Sequence, residues 1–367
     1  MNAAPLILYL VKEGRETRLG EGSPREFLYG YPELLSAGCN VQLLVDAEVG
    51  FERGLNKAKG LINAVLHLLC GIPGWGLIQL WRHRHRFDAA DLVFVGTNTL
   101  GLGLGVLHRF GLLRARVMFI AMGLIEPSTP ARWRRAYRWA LRDVHVLSLA
   151  QHDAKILGAA LGRPVDYLPF GVDSDFWQVA TKDVGNYVLS IGNDRHRDYD
   201  TLLRAWRPEF PLLRIVTRLP VSASAANVEI IHGDWHRQSL SDTEVRTLMQ
   251  QASFIVLPIR KTVQPSGQSA ALQAMACGKT VLITDFPGLW NRDLMRDGAT
   301  CVFAGAPGDV EGLTAAVAAI CSEPERRGAI GAAARKVIES ELNAQRMAER
   351  LLTHMETALG RSLVSGG

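Results

Sequence analysis

Cysteine is scarce in this 367-residue sequence, and its spacing is uninformative. The five cysteines are Cys39, Cys70, Cys277, Cys301 and Cys321. None forms a C-x-x-C pair, and zinc ribbons and disulfide frameworks both need closely or regularly spaced cysteines. The sequence therefore favours a reducing compartment, and we predict no metal site.

The opening residues also do not predict a secretory leader. The opening segment M-N-A-A-P-L-I-L-Y-L-V-K-E-G has a short apolar core and no basic start. Secretory signals have a basic start followed by a longer apolar region, so this segment does not fit that pattern. We therefore expect a cytoplasmic protein, and the basic features described below add the alternative of a peripheral protein on the inner face of the plasma membrane.

Charge is missing from one long segment, Gly60–Trp81, which contains no Asp, Glu, Lys or Arg. Its length alone would permit a transmembrane helix. However, Gly71, Pro73 and Gly74 interrupt it in the middle, which favours two short helices that lie on a membrane surface or cap the domain. Two alternatives stay open: ordinary helices packed on a sheet, and a true membrane span.

The composition is that of a folded globular protein, with 48% apolar and 21% charged residues. The chain is longer than one hydrophobic core usually supports, so two domains are expected. Residues 1–169 contain 20 Lys and Arg against 14 Asp and Glu, whereas the remainder contains 21 against 22. The basic half could face a membrane surface, a nucleic acid or only solvent. A nucleic-acid partner is the least favoured of these interpretations because no recognition motif accompanies the basic charge.

Arginine and aromatic residues are interleaved over Ala131–Arg142. The segment holds Arg132, Arg134, Arg135, Arg138 and Arg142 together with Trp133, Tyr137 and Trp139. This composition suits an anionic bilayer interface, and a solvated helix with snorkelling arginines is the alternative. We predict membrane-facing helices near residues 53–86 and 130–142. By contrast, the glycines of G-L-G-L-G at Gly101–Gly105 fall inside an apolar helical pattern and indicate close helix packing rather than a dinucleotide site.

Short apolar runs alternate with helical segments along the whole chain. The predicted strands are Leu6–Val11, Val41–Val45, Leu92–Val95, Val117–Ile120, Val144–Leu149, Val165–Leu168, Tyr187–Ile191, Leu213–Thr217, Val228–Ile231, Ser253–Leu257, Thr280–Thr284 and Thr300–Phe303. This rhythm predicts an α/β fold of two doubly wound, Rossmann-like domains with a ligand cleft between their strand ends. We place the domains at residues 1–169 and 187–342, a hinge at 170–186, and a C-terminal helix at 343–367 that packs back toward the first domain.

The stretch Phe254–Thr284 is predicted to form a strand, a loop, a helix and a second strand. Ser266, Gly267 and Gln268 fall at the predicted helix start, and Gly278 falls at its end. Unpaired backbone N–H groups and the positive end of the helix dipole favour an anionic ligand at such a start. We take this unit as the ligand-binding centre.

The first strand leads into a second glycine-containing loop, which carries Gly20 and Gly22. The following S-P-R-E predicts a helix start, with Ser23 as N-cap and Glu26 completing a capping box. In a parallel sheet this loop would lie at the carboxyl edge, where ligands bind.

Five segments of the second half of the chain carry a further signal. They are Y-L-P-F-G-V-D-S-D-F-W, S-I-G-N-D-R-H-R-D-Y-D-T-L-L-R-A, V-E-I-I-H-G-D-W, S-D-T-E-V-R-T-L-M-Q-Q-A-S-F-I-V-L-P-I and Q-P-S-G-Q-S-A-A-L-Q-A-M-A-C-G-K-T-V-L-I-T-D. Together they resemble the retaining nucleotide-sugar glycosyltransferases of family 4, which have the GT-B fold. These segments follow the family's order and spacing over residues 166–285. The N-terminal half resembles the family less, through P-R-E-F-L-Y-G-Y-P-E-L and its strand and helix rhythm.

The resemblance implies a role for each matching position. It places Arg195 and Arg197 beside the donor diphosphate as the catalytic cations, because a departing nucleoside diphosphate develops negative charge. It places donor-binding residues at Gly20, Gly22, Gly192, Arg218, Asp234, Trp235, Ser266, Gly267, Gln268 and Gln273. Neither a metal nor a cofactor is implied beyond the sugar nucleotide itself.

The sequence departs from the family at three positions. Gln273 stands where the family has the glutamate that holds the ribose, while Pro265, preceded by Gln264, takes the place of the first motif glutamate. Met122 precedes Gly123 where many relatives have a His-Gly pair. These departures bear on donor identity and activity more than on fold.

The resemblance implies transfer of a sugar from a nucleoside diphosphate to an acceptor hydroxyl with retention. The basic, apolar first domain favours a lipid-linked or cell-envelope glycan precursor as acceptor. Two other functions stay open: a nucleotide-sugar epimerase of the same fold, and a non-catalytic nucleotide-sugar-binding partner of another enzyme.

Overall fold

The structure, a computed structural model, describes residues 4–20, 22–50, 57–180, 185–223, 225–233 and 240–363. It contains two compact units, each with its own sheet and core. Unit 1 comprises Met1–Gly20, Phe27–Pro169 and Met347–Gly367, and unit 2 comprises Glu21–Glu26 and Phe170–Arg346. The predicted α/β class with two parallel, doubly wound sheets is confirmed.

The sheet of unit 1 has six parallel strands in the order β2-β1-β3-β4-β5-β6. The strands are β1 Ile7–Val11, β2 Val41–Val45, β3 Leu92–Val95, β4 Arg116–Ala121, β5 His145–Ser148 and β6 Asp166–Tyr167. Every residue of β1 and β3 is buried, as expected for strands covered by helices on both faces. The chain reverses its direction of growth between β1 and β3, which makes their carboxyl ends a topological switch point.

In the described part of the chain, seven α-helices connect or cover these strands, and a further helix begins at the end of unit 2 in the sequence. They are α1 Tyr31–Ser36, α2 Lys57–Cys70, α3 Gly74–Arg82, α4 Arg84–Asp88, α5 Asn98–Arg109, α6 Ala131–Ala140, α7 Gln151–Leu161 and α13 Ala344–Leu359. Residues of α13 from Met347 onward belong to unit 1. Its Ala348 lies so close to Gly30 that a Cβ on Gly30 would be 2.8 Å from the Ala348 Cβ.

The sheet of unit 2 also has six parallel strands, in the order β12-β11-β10-β7-β8-β9. The strands are β7 Tyr187–Ile191, β8 Leu212–Thr217, β9 Val228–His232, β10 Ala252–Leu257, β11 Val281–Ile283 and β12 Val302–Phe303. The helices are α8 Tyr199–Ala205, α9 Asp242–Gln251, α10 Gln268–Ala276, α11 Val310–Ser322 and α12 Pro324–Glu341. The switch point of this sheet lies between β7 and β10.

The charge-free segment forms two helices, as predicted. Helix α2 ends at Cys70, Gly71 adopts a φ of +73°, and Pro73 is the N-cap of α3. The glycine and proline end one helix and start the next because neither suits a helix interior. Among the helices in the described part of the chain, none combines the length and apolar character needed to span a bilayer.

The glycines of Gly101–Gly105 lie within α5, and their contacts confirm the packing interpretation. A Cβ on Gly101 would lie 2.4 Å from the Phe119 ring, and one on Gly105 would lie 2.7 Å from the Ala140 carbonyl oxygen. These distances are shorter than any Cβ contact allows. Glycine therefore lets α5 approach both β4 and α6.

The predicted helix start at Ser23 is wrong. A three-residue 3-10 helix begins at Glu26, and the first α-helix begins at Tyr31 with Gly30 as its N-cap. Glu26 is 1% exposed and its carboxylate accepts hydrogen bonds from distant residues instead of capping a local helix. A buried tertiary contact therefore replaces the local capping box.

Candidate active site

The loops that follow β7 and β10 meet at the switch point of unit 2. Their backbones pair directly: Asp198 N–H donates to the Pro258 carbonyl at 3.0 Å, and Arg260 N–H donates to the His196 carbonyl at 2.8 Å. These bonds fix the β7 loop, which carries two predicted arginines, against the β10 loop, which carries the predicted helix start. Open α/β sheets bind ligands at this kind of crevice.

Arg197 is buried where the two loops meet. It is 5% exposed, and glycines on both sides make room for its guanidinium. A Cβ on Gly192 would lie 1.9 Å from Arg197 Nε, and one on Gly267 would lie 2.7 Å from Arg197 Nη1. Any side chain at Gly192 would displace the arginine, so Gly192 supports the site by lacking one.

The Arg197 guanidinium has unused hydrogen-bonding capacity. Its Nε lies 3.3 Å from Asp194 Oδ2 without hydrogen-bond geometry, and neither Nε nor Nη1 finds a hydrogen-bond partner in the described chain. A buried charged donor left unpaired in this way is costly, and an anionic ligand would satisfy it. The arrangement is therefore suited to an anion.

Asp194 ties the two loops together. Its Oδ1 accepts a hydrogen bond from Ser266 Oγ at 2.7 Å and from His196 N–H at 2.9 Å. The same carboxylate is the counter-ion of Arg197. Ser266 thus acts in this structure through Asp194, which the sequence analysis did not select although it precedes Arg195 in the quoted motif.

Helix α10 begins at Gln268, and Gly267 is its N-cap with a φ of +82°. The predicted helix start is confirmed, but only part of its backbone is available. Ser266 N–H donates to the Gln264 carbonyl and Gln268 N–H donates to the Pro265 carbonyl. Gly267 N–H makes no hydrogen bond to any described residue, and no side chain caps the helix. Of the three predicted residues at the helix start, Gly267 is therefore the one whose backbone N–H has no partner in the described chain.

Arg195 and Arg197 occupy different environments. Arg195 is exposed, and its Nε lies 3.3 Å from His196 Nε2. Arg218 is also exposed, and its backbone N–H donates to Asn193 Oδ1 at 2.8 Å. Asn193 therefore joins the loops after β7 and β8, while the two exposed arginine side chains face solvent.

Gln273 lies on α10 and points to a buried carboxylate. Its Nε2 donates to Glu26 Oε1 at 2.9 Å, and Trp177 Nε1 donates to the same oxygen at 3.0 Å. The carboxylate can only accept, so the amide nitrogen must face it. Gln273 Oε1 is then left as an acceptor without a partner in the described chain. Glu26 thus supplies an acid next to the position where the family resemblance implies one.

Unit 1 carries a second unusual carboxylate, at the carboxyl edge of its sheet. Asp153, at the start of α7, is 1% exposed and accepts from Ser148 Oγ at 2.8 Å and from Gly123 N–H at 3.4 Å. Burial raises its pKa to about 6, and the hydrogen bonds from Ser148 and Gly123 oppose this shift. Its Oδ1 has no hydrogen-bond partner among the described residues. Perturbed carboxyl groups of this kind are candidates for function, and no motif in the sequence marked this one.

The remaining predicted residues are only partly described. Asp234 and Trp235 lie outside the described residues. Gly20 ends a 3-10 helix, Glu16–Leu19, and Gly22 has a φ of +77° with open space around it. Their contact with a donor stays a prediction.

One cluster in the described chain combines three side chains of types that bind metals. The ligand atoms of His145, Asp166 and His354 lie within 4.8 Å of one another. Burial lowers the pKa of both histidines, while Asp166 acts in the opposite direction. The cluster lies at the amino ends of β5 and β6, away from the carboxyl edge of its sheet. It has no part in the site around Arg197.

Comparison with known proteins agrees with this geometry. Residues 186–323 match the model of the family described as "Glycosyl transferases group 1". The match covers most of unit 2, including both loops of the site. It supports a glycosyltransferase enzyme family for this part of the chain. No curated protein matches the sequence significantly.

Solved glycosyltransferase structures share the fold. Anabaena Alr3699/HepE in complex with UDP-glucose has a TM-score of 0.69 at 14% identity, covering 96% of this chain and 100% of that chain. A glycosyltransferase from Rickettsia africae has a TM-score of 0.71 at 12% identity, covering 98% and 100%. Sucrose-phosphate synthase from Thermosynechococcus elongatus has a TM-score of 0.71 at 13% identity, covering 97% and 99%. The chain therefore has the GT-B fold of nucleotide-sugar glycosyltransferases.

Proposed function

We propose that this protein transfers a sugar from a nucleoside diphosphate donor to an acceptor hydroxyl, with retention of anomeric configuration. The observation that carries the proposal is Arg197, a buried guanidinium with an unpartnered Nη1 beside Gly267 at the start of α10. The group 1 match over residues 186–323 and the UDP-glucose complex of the Anabaena neighbour support the same ligand class.

In this proposal the donor diphosphate binds between Arg197 and the first turn of α10. Negative charge grows on the leaving diphosphate during transfer, and a fixed cation in a dry site stabilises it at little reorganisation cost. Arg195 adds a second, exposed cation from the same loop. Gln273 Oε1 accepts a hydrogen bond from the ribose, because Glu26 holds the amide nitrogen.

We further propose that these arginines make a divalent cation unnecessary for transfer. Guanidinium groups can offset the diphosphate charge in the way that a bound metal does in other transferases. Transfer should therefore proceed unchanged in EDTA. Full loss of transfer in EDTA, with recovery on adding Mg²⁺ or Mn²⁺, would contradict this part of the proposal.

The first prediction concerns Arg197→Gln. Removing a charged donor from such a site should lower the rate of transfer or donor hydrolysis on the order of a hundredfold. The measurement is release of nucleoside diphosphate from each of a panel of sugar nucleotides, after a thermal-shift screen has identified the donor that binds. Product stereochemistry, observed by NMR, tests retention.

Arg214→Gln is the matched control. Arg214 lies in the same unit on β8 and forms an exposed ion pair with Glu229 at 2.7 Å, which is worth little in stability. It should leave both binding and turnover close to wild type. Equal activity in the Arg197 and Arg214 variants would contradict the proposed site.

Isomerised sugar nucleotide without an acceptor would indicate an epimerase, and tight binding without turnover would indicate a non-catalytic partner.

For the acceptor, we propose a lipid-linked or cell-envelope glycan precursor reached by peripheral attachment of unit 1 to a membrane. Unit 1 exposes large apolar side chains close to arginines: Leu68 is 64% exposed, and Phe110 is 64% exposed. Arg132 Nε and Trp133 Nε1 both donate to the Leu68 carbonyl, which joins α6 to the end of α2. An apolar and basic surface is what an anionic bilayer interface favours.

Liposome flotation tests the attachment. Wild type should float with anionic vesicles, and Leu68→Ser with Phe110→Ser should reduce flotation while leaving donor binding intact. Failure of wild type to float would favour a water-soluble acceptor instead.

A further inference from the structure

A cavity of about 420 Å³ lies on unit 1. It is at the opposite edge of the sheet from the carboxyl edge that carries Asp153. It is lined by Arg109, Arg135, Arg138, Trp139, Arg142, Leu161, Gly162 and Arg163. We call it the arginine pocket. These residues come from the ends of α5, α6 and α7, which all lie at the amino edge of the parallel sheet. The proposed donor site belongs to the carboxyl edge of the sheet of unit 2, so this pocket is a separate feature.

Two of the five arginines stabilise the protein itself. Arg138 Nε and Nη2 both donate to the Ala160 carbonyl, at 3.0 and 2.7 Å. Arg163 Nη2 donates to the carbonyls of Leu141 and Val144. These carbonyls lie near the ends of α6 and α7, where the helix dipole would repel an anion. The two arginines offset that repulsion at the pocket wall.

The other three arginines have unused donors. Arg109 Nε is buried without a hydrogen-bond partner in the described chain, and its Nη1 lies 3.4 Å from Asp143 Oδ2. Neither Arg135 nor Arg142 forms an ion pair or side-chain hydrogen bond with any described residue. The residues that line the pocket include five arginines and no carboxylate. Asp143 forms an ion pair with Arg109 and, together with Asp166, acts on Arg163. A net positive pocket with a buried, unsatisfied donor is suited to a multiply charged anion.

We propose that the arginine pocket binds a phosphate group, either a monoester or a diphosphate, that is not the sugar donor. Phosphate presents several acceptor oxygens to guanidinium forks, so Arg109, Arg135 and Arg142 can each donate to it. Trp139 lies at the rim and packs edge-on against Phe110 with ring centroids 5.2 Å apart. The phosphate therefore binds beside an exposed apolar surface, and its carrier is either a soluble phosphate compound or a lipid headgroup.

The test is calorimetric titration of the full chain with inorganic pyrophosphate at constant ionic strength, with sulfate as the comparison anion. The pocket variant is Arg135→Gln combined with Arg142→Gln. The control is Arg114→Gln combined with Arg134→Gln, which removes the same charge from exposed positions of unit 1 outside the pocket. Circular dichroism confirms that each variant is folded, and Arg109→Gln separately tests the buried donor.

The pocket variant should bind pyrophosphate at least about tenfold more weakly, since each charge-assisted hydrogen bond contributes more than a factor of ten. The control should change affinity less than about twofold, because Arg114 and Arg134 do not line the pocket and cannot donate to an anion bound there, and their longer-range charge is screened by salt. Any binding of pyrophosphate at the donor site contributes the same calorimetric signal in wild type and in every variant. A failure of the proposed donor site is therefore distinguishable from a failure of the arginine pocket. Equal weakening in both double variants, or no pyrophosphate binding beyond that of sulfate, would overturn the proposal.

Flotation then separates the two carriers. Vesicles of phosphatidylcholine with phosphatidic acid, a phosphate monoester, are compared with phosphatidylglycerol vesicles of equal surface charge. A lipid headgroup is supported if wild type prefers phosphatidic acid vesicles, if the pocket variant loses this preference, and if added pyrophosphate abolishes it. Pyrophosphate binding without this preference supports a soluble phosphate compound.

Discussion

At the scale of single residues, the site depends on side chains whose partners lie far away in sequence. Gln273 and Glu26 are 247 positions apart and meet at 2.9 Å. The pair explains how a glutamine can stand in an acid position: the neighbouring carboxylate fixes the amide, and the amide oxygen becomes the acceptor. Two glycines also act on a side chain elsewhere in the sequence: Gly192 and Gly267 have no side chains and so leave the space that Arg197 occupies.

Glutamate at position 273 should therefore destabilise the protein. Gln273→Glu places two carboxylates in contact in a buried site, so one of them must hold a proton and its pKa rises. Because the folded form then binds a proton more tightly than the unfolded form, stability is lost as pH rises through that raised pKa. We expect a loss on the order of 1–3 kcal/mol at pH 8 in urea unfolding, and a smaller loss at pH 5. Glu26→Gln added to Gln273→Glu should recover part of it. A single variant as stable as wild type at pH 8 would contradict this pairing.

Asp153 gives a second residue-scale prediction. Its pKa is raised to about 6 from 3.8 by burial, so its contribution to stability is complete below the ordinary value and is lost as pH rises through about 6. Asp153→Asn removes the ionised form and should be more stabilising, relative to wild type, at pH 8 than at pH 5. The difference between the two pH values should be about 1.4 kcal/mol, because roughly half of the full effect is already present at pH 5. Asp143→Asn, which makes the same substitution at a half-exposed carboxylate, is the matched control.

At the scale of elements, helix α5 shows how small residues set packing distances. Gly103 and Gly105 are two positions apart on one helix, yet they face different neighbours. A Cβ on Gly103 would approach the end of the Leu80 side chain at 2.5 Å, whereas a Cβ on Gly105 would approach the Ala140 backbone carbonyl at 2.7 Å. A leucine methyl group can turn away, and a backbone carbonyl cannot.

Gly105→Ala should therefore destabilise unit 1 by about 1–3 kcal/mol, because α6 must move. Gly103→Ala should be close to neutral, since the better helix propensity of alanine, worth about 1 kcal/mol, offsets the adjustment of Leu80. Urea unfolding followed by circular dichroism measures both. Equal effects from the two variants would show that α6 does not limit the position of α5.

At the scale of the whole molecule, each unit has its own parallel sheet and its own buried core. The chain nevertheless crosses between the units more than once. Glu21–Glu26 belongs to unit 2 although its neighbours in sequence belong to unit 1, and α13 contributes to unit 1 after unit 2 is complete. Neither unit is therefore a simple segment of sequence.

Binding of the sugar nucleotide should act mainly on unit 2. A ligand that binds only the folded form stabilises it, by about 2.7 kcal/mol at one hundred times its Kd. We expect calorimetry to show a higher unfolding temperature for the transition that reports on unit 2. Tryptophan-to-phenylalanine variants at Trp177 and Trp133 would assign fluorescence to each unit. An equal shift of both transitions would mean that the units unfold together.

The sequence predicted much of the fold because its signals are local. Apolar runs bounded by glycine and proline marked most strands, and the bounds of β2, β3 and β7 are as expected. Gly267 at the start of α10 and the break between α2 and α3 follow from backbone chemistry that a single glycine or proline determines. The Ser23 capping box failed because a buried contact to Trp177 and Gln273 outweighs a local cap.

What the sequence alone determined is the alternation of strands and helices, the loops at the switch points and the residue types available there. Only the tertiary structure decided how those residues act: Arg197 is buried and Arg195 exposed, Asp194 joins Ser266 to Arg197, and Glu26 holds Gln273. Local structure depends on neighbours within a few positions, which the sequence displays. Burial and ion pairing depend on residues brought together from distant parts of the chain by the packing of helices on each sheet.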